Sequence, residues 1–387
     1  MRVGGTAVAV VAMGLAACST ISRNALPEEA ELERVLAVAG PVRIWGDVAP
    51  KNTEALIRQR DAQRRAAGVN PSALMNYLAV SGGGSDGAFG AGLLSGWSEA
   101  GTRPNFDLVT GISTGALIAP FAFLGRAYDG QLKEIYTSYG PSDIAQRRGL
   151  LSIAAEASIA DNSPMVGLME RYITPDFLKA VAAEHMKGRR LLIGTTHLDA
   201  QRPVIWDMGQ IALKGDQNSV LLFRKVMIAS ASIPGVFPPV LVPVEHDGRA
   251  FDEMHVDGGV TSQVFIFPTQ VDPRSLDRKL GRSPNRRMYV IRNARVGPEW
   301  ETVEPRLIKI AGRSISSLIK YQGRGDLNRM YLQSRQYNVD FNLASIPETF
   351  TLREKEPFEQ DYMAALFERG YELARAGYRW QKKPPDF

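Results

Sequence analysis

The residues Gly111-Ile112-Ser113-Thr114-Gly115 set a serine between two glycines, with an apolar run before it (Phe106 to Thr110) and another after it (to Leu124). A serine where a strand turns sharply into a helix is pushed out of the sheet. The tight turn forces an unfavourable backbone conformation, and small flanking residues at Gly111 and Gly115 let strand and helix approach. Its hydroxyl is then available to attack a carbonyl carbon. Upstream, Ser81-Gly82-Gly83-Gly84-Ser85-Asp86-Gly87-Ala88 follows one apolar run and opens another. Consecutive glycines expose amides that can converge on a developing oxyanion, and a helix N-terminus adds favourable potential. The expected donors are the amides of Gly82, Gly83 and Gly84, adjoined by that of Thr114, with Gly87 opening the helix. Farther on, Asp257-Gly258-Gly259 follows a short apolar stretch at Val256. A carboxylate followed by two glycines can sit on a turn that another backbone approaches closely, although an Asp-Gly pair taken alone reads as a plain surface turn.

Other chemistries compete for these residues. Gly82, Gly84 and Gly87 also satisfy GxGxxG, a dinucleotide-binding spacing that needs an acidic residue at the end of the next strand. Asp107 has the distance but stands at the start of its strand, whose far end delivers Ser113. A histidine triad could draw only on His185, His197, His246 and His255. No histidine follows Asp257, so the α/β-hydrolase order is absent, and His255 would need an acid elsewhere. The histidines form no HxxxH or similar cluster, so no metal is expected. Cys18 is the only cysteine, which excludes an intramolecular disulfide and cysteine catalysis.

These groups need elements to hold them. A strand at Tyr77 to Val80, a helix from about Gly87 to Ala100, a strand at Phe106 to Thr110 and a helix from about Thr114 to Leu124 make two strand, turn, helix units. Such a succession predicts parallel strands in an α/β layered fold. Further strands are predicted at Arg190 to Thr195, Pro203 to Asp207, His255 to Val256 and Met288 to Arg292, with a helix at about Val220 to Ser230. A charged surface helix is predicted over 50–68. Beyond residue 300 the pattern is helical at about 304–333 and 358–378, around a strand at Tyr337 to Leu343. Phe121, Phe123, Phe237 and the stretch Pro239 to Val244 are candidates for core or for an acyl pocket.

In chain order, the glycine-rich loop, the GxSxG elbow, the segment Ala229 to Pro239 (ASASIPGVFPP) and the late Asp-Gly-Gly resemble the patatin-like phospholipases over about residues 76 to 270. The resemblance implies a three-layer α/β/α fold with a largely parallel or mixed central sheet. It also implies a serine and aspartate dyad without histidine, which assigns those roles to Ser113 and Asp257. The implied activity is lipid acyl hydrolysis of the phospholipase A, lysophospholipase or esterase type, through an acyl-enzyme, on a lipid or ester substrate and without a cofactor. One departure stands out: many relatives carry Arg or Lys before the last glycine of the oxyanion loop, where this chain has Asp86. A carboxylate there would oppose an anionic intermediate if it pointed inward.

With 387 residues, of which 44% are hydrophobic and 22% charged, the chain can bury a large core. Its net charge of +5 suits an anionic membrane surface and does not demand nucleic acid. Met1 to Ala17 has one basic residue and a short apolar run, like a secretory leader. It ends Leu15-Ala16-Ala17-Cys18, which resembles the bacterial lipobox, so Cys18 is expected to be acylated and to tether an exported protein to the membrane, the outer membrane in particular. The expected organisation is a leader (1–17), a tether with a helical segment (18–75), a catalytic domain (76–300) and a mainly helical extension (301–387). A catalytically silent, membrane-tethered binding lipoprotein of the same fold is the competing expectation, with a nucleotide-binding protein behind it.

Overall fold

The computed structural model describes residues 23–28, 42–147, 158, 160–266, 268 and 270–387; the expected leader and Cys18 lie outside them. The described strands are β1 (Arg43–Trp45), β2 (Met75–Val80), β3 (Leu108–Ile112), the short antiparallel pair β4 (Gln146–Arg147) and β5 (Ala160–Asp161), β6 (Arg190–His197), β7 (Arg202–Asp207), β8 (Val240–His246), β9 (Arg249–Asp257), β10 (Arg286–Arg292) and β11 (Asp340–Ser345). Apart from β4 and β5 they build one sheet in the order β1-β7-β6-β3-β2-β10-β11, with β9 joined to β6 and β8 to β9. The strands from β6 to β11 along that order run parallel, while β7, β1, β9 and β8 add antiparallel pairings. The sheet is therefore mixed, with the parallel part where the two strand, turn, helix units predict it.

Parallel strands buried on both faces carry apolar residues at nearly every position. In β2, Leu78 and Val80 enter one core, whereas Met75, Tyr77 and Ala79 enter another on the opposite face. The first core is filled by the helices Gly87–Glu99, Thr114–Leu124, Pro175–Met186, Gln217–Ser230 and Gln360–Arg375, through residues such as Phe89, Ile118, Leu178, Phe223 and Leu366. The second is closed by Val264, Ile266 and by Leu327 and Met330 of the long helix Leu307–Tyr337. Helices on both faces of a mixed sheet give the three-layer α/β/α architecture. Among the described residues, no helix is long and apolar enough to cross a membrane.

The geometry that matters is set by β6. One edge pairs antiparallel with β7, from Leu192↔Asp207 to His197↔Arg202. The other edge is shared. There β3 runs parallel from Leu108↔Arg190 to Ile112↔Gly194, and β9 takes over antiparallel from Thr195↔Asp257 to His197↔His255. Two strands thus meet end to end along one edge, bringing the residue after β3, Ser113, beside the last residue of β9, Asp257.

The predicted two-residue strand at His255 is the end of nine-residue β9, whose hairpin partner β8 occupies most of the Pro239 to Val244 stretch. Pro238, Pro239 and Pro243 mask that strand in the sequence, since proline is depleted from sheet interiors. Within β8, Val242 and Val244 are buried while Pro243 between them is exposed, the alternation of a strand with one face on the core.

Candidate active site

Ser113 sits between β3 and the helix Thr114–Leu124 at φ 55° and ψ −129°, a strained region for any residue with a side chain. The strain is held by neighbours. The Ser113 amide donates to Ser230 Oγ at 3.0 Å, and the Ser230 hydroxyl donates onward to the Gly194 carbonyl at 2.6 Å, tying the elbow to β6. A Cβ on Gly115 would lie 2.2 Å from the Val80 carbonyl, and one on Gly111 2.3 Å from the Gly115 carbonyl, so the turn closes only with glycine at both places.

Asp257 is buried, and its backbone amide donates to the Ser232 carbonyl at 2.9 Å. Ser230 and Ser232 therefore hold the two ends of the site, which gives the segment ASASIPGVFPP a structural role the sequence did not disclose. One carboxylate oxygen accepts the Gly259 amide at 2.7 Å, and the Ser113 side chain is a second hydrogen-bond partner of the carboxylate. Burial pushes the Asp257 carboxyl up to about 7, against the opposing pull of Ser113 and Gly259. Gly258 turns the chain, its carbonyl accepting the amides of Thr261 and Ser262.

The glycine-rich loop lies across from this pair. The amide of Gly82 donates to the Gln263 carbonyl at 3.2 Å, so it is committed to structure and leaves the set of free donors expected from sequence. Among the described residues, the amides of Gly83, Gly84 and Thr114 have no protein acceptor. Gly83 is pressed on Asn293, whose carbonyl would stand 2.0 Å from an added Cβ. Asn293 in turn donates from Nδ2 to the Ser81 carbonyl and accepts the Gly90 amide, clamping both ends of the loop. Gly87 opens its helix against Thr114, with no room for a Cβ beside Thr114 Oγ1. Gln263 bridges the two halves of the site: its carbonyl holds Gly82 and its Nε2 donates to the Gly259 carbonyl at 2.8 Å.

Asp86 does not face the loop's amides unopposed. Tyr362, from the helix Gln360–Arg375, donates to Asp86 Oδ1 at 2.5 Å, and burial pushes that carboxyl up to about 6. A cation stands behind the loop. Arg292, the last residue of β10, is buried and points Nη1 at the Gly82 carbonyl (3.4 Å) and at Gln263 Oε1 (3.5 Å). Burial pulls it down to about 10, which leaves it charged at neutral pH. Among the described residues it has no carboxylate within ion-pair distance. Ser230 falls in the segment Ala229 to Pro239 that the motifs single out without a role, whereas nothing in the motif spacing points to Gln263 or Arg292; a basic residue closing an apolar strand, as in Met288 to Arg292, is the one signal that could have singled out Arg292.

The rival chemistries fare poorly. Both ring nitrogens of His255 are taken, Nδ1 at 3.0 Å from Thr195 Oγ1 and Nε2 at 3.1 Å from Glu253 Oε2, and burial pushes the ring down to about 4. His197, Glu253 and His255 do gather closely enough to share a cation, a cluster not foreseen from spacing. Arg43, however, donates to both Glu253 oxygens, so a metal would have to displace a buried guanidinium. Asp107 is bound to Arg64 and to the Asn76 amide, at the opposite end of β3 from the glycines.

Beside Ser113 opens an apolar cavity lined by Thr114, Leu117, Ile135, Met165, Phe237 and Phe358, among others. Phe237 is thus pocket wall as well as core, whereas Phe121 and Phe123 are core.

A family model described as patatin-like phospholipase matches residues 78–269 of the chain. The match supports a lipid hydrolase. No curated protein matches the chain. Among solved structures, VipD from Legionella pneumophila is similar at 11% identity and a TM-score of 0.32, over 79% of this chain and 67% of that one. A chain of the complex of full-length SpcU with full-length ExoU, from the type III secretion system of Pseudomonas aeruginosa, is similar at 12% identity and a TM-score of 0.34. That match covers 78% of this chain and 52% of the other, about half its length.

Proposed function

We propose that the chain is a carboxylic ester hydrolase acting on lipid acyl esters through a Ser113 and Asp257 dyad. The observation that carries this is the end-to-end meeting of β3 and β9 on β6, which sets a strained serine beside a buried carboxylate, with the serine in the wall of an apolar cavity. Asp257, with its pKa near neutrality, takes the proton as Ser113 Oγ attacks the ester carbonyl carbon. The tetrahedral oxyanion is received by the amides of Gly83, Gly84 and Thr114. The leaving alcohol departs with a proton from Asp257. Water, deprotonated by the same carboxylate, then releases the acid and restores Ser113. The cavity wall, almost wholly apolar, takes an acyl chain and offers no charge to a headgroup. An exported protein tethered through an acylated Cys18 is the accompanying proposal for its location, with residues 1–17 as leader, 76–300 as catalytic domain and 301–387 as extension.

The direct test is labelling with a fluorophosphonate. Adduct mass on the peptide containing Ser113, with hydrolysis of a nitrophenyl ester and a phospholipid, is the expected result. A chain that is folded, unlabelled and inert on both substrates would instead be the silent binding lipoprotein, and tight binding of a dinucleotide by that inert chain would favour the nucleotide reading.

Arg292 supplies the positive potential behind the oxyanion loop that Asp86 withholds from within it. Arg292→Met is expected to lower kcat roughly tenfold with little change in KM, because the charge acts on the developing oxyanion more than on the neutral ester. Arg292→Lys should recover part of the loss. An equal fall in kcat for both variants, with lowered Tm, would mark Arg292 as scaffold only.

A further inference from the structure

The long helix Leu307–Tyr337 changes character along its length. Its second half is docked: Asp326 accepts the Gln263 amide at 2.7 Å, and Leu327 and Met330 fill the second core. Its first half is solvated almost all round. Leu307, Ile308, Ile315 and Leu318 are 84%, 83%, 57% and 70% exposed, and nearby Trp300 is 87% exposed. At about 3.6 residues per turn, Leu307, Ile308, Ala311, Ile315 and Leu318 share one side and Lys309, Arg313 and Lys320 the opposite side. The basic side is turned to the protein: Arg313 donates to Glu301 at 3.0 Å and to the Glu299 carbonyl, and Lys320 donates to the Gly297 carbonyl at 2.8 Å. The helix is therefore clipped to the body by its cations and shows its apolar side outward, the inverse of a surface helix of a globular protein.

Where this half-helix leaves the body identifies what covers it. On the next turn, Gln322 accepts from Gln263 Nε2 at 3.1 Å and donates to the Val260 carbonyl at 3.3 Å, within the turn that follows Asp257. No acidic residue occurs from Leu307 to Gly325, and Lys309 at the outer end has no carboxylate partner among the described residues. An apolar face of this size, on a stretch with no carboxylate and with Lys309 unpaired at its outer end, suits the headgroup and acyl boundary of a bilayer. We propose that the half-helix Leu307 to Tyr321, with Trp300, lies in the surface of a lipid bilayer and holds against it the side of the protein that carries the turn after Asp257. The purpose of this contact rests on the acyl-hydrolase reading; the contact itself does not.

The experiment uses the full chain carrying Cys18→Ser, so that no acyl anchor forms, with vesicles of phosphatidylcholine and phosphatidylglycerol. Binding is read by flotation and by the blue shift and quencher protection of Trp300 emission, assigned with Trp300→Phe. Replacing Ile308, Ile315 and Leu318 by serine is expected to weaken vesicle partition by about tenfold or more, since three exposed side chains lose their transfer into lipid. Vesicle phospholipid hydrolysis should fall in step, while nitrophenyl ester turnover and Tm stay as in the parent. Unchanged partition and unchanged Trp300 emission overturn the proposal. Unchanged partition with loss of a dimer in sedimentation overturns it in favour of an interface between copies. If the parent is inert on ester and phospholipid alike, the hydrolase reading fails, and vesicle partition still decides the role of the helix.

Discussion

Ser113→Ala is expected to lower kcat on a nitrophenyl ester by at least about 10³-fold, or about 4 kcal/mol in barrier, while leaving the fold intact. The large effect follows from position. Ser113 holds its strained conformation through its amide, which donates to Ser230, so removing the hydroxyl deletes the nucleophile without removing the bond that shapes the elbow. Residual turnover should come from the amides of Gly83, Gly84 and Thr114, which need no side chain. The measurement is steady-state hydrolysis beside a melting curve. Retention of more than a tenth of the parental kcat would sink the nucleophile assignment.

Asp257→Asn should cut kcat by a comparable factor and, unlike most active-site losses, raise stability. The carboxyl is pushed up to about 7 by burial, whereas an unfolded chain titrates near about 3.9. A raised carboxyl pKa means the folded state favours the protonated form. Its stabilising share is complete below the unfolded value and lost as pH rises through about 7. At pH 8 the parent therefore carries a costly buried charge that asparagine lacks, and the variant should be more stable there by roughly 2–4 kcal/mol, with the gap closing near pH 4. The same titration gives the parent a kcat/KM that climbs with pH to a plateau above about 7. Thermal melts of both proteins at pH 4, 6 and 8 check the first half, and a pH profile checks the second. A variant that is never more stable, with a flat parental profile, would remove Asp257 as base.

Local motifs were far more legible in the sequence than the shell around them. The elbow, the glycine loop and Asp257 stand out because backbone constraints select glycine at fixed offsets, and those offsets survive in the chain itself. Gln263, Ser230 and Arg292 act through contacts across long separations, which no periodicity records; the Arg292 contact to Gly82, for example, joins β10 to the loop after β2. The apolar texture of β2, β3 and β6 announced buried parallel strands. The hairpin of β8 and β9 did not announce itself, because prolines interrupt one strand and charged residues such as Glu253 and Arg249 dilute the other. Glu253 was unreadable as a buried residue for a specific reason: its partner Arg43 lies at the far end of the chain. The amide of Gly82 shows the opposite limit, since the motif is right about the glycine and silent about the carbonyl already waiting for its hydrogen.

The shared edge of β6 has an inheritance of its own. Since Gly194 and Thr195 seat the two incoming strands at adjacent rungs, the spacing of nucleophile and base is stored in hydrogen-bond register and owes nothing to the length of chain between them. A change in chain length between the end of the elbow helix and the start of β6 leaves that register as it is, provided the helix Pro175–Met186 keeps its place in the core. Part of the cavity wall, from Ile135 to Met169, belongs to this interval. On the acyl-hydrolase proposal, a lineage built on this scaffold can therefore revise part of its acyl pocket while the nucleophile and base stay in place.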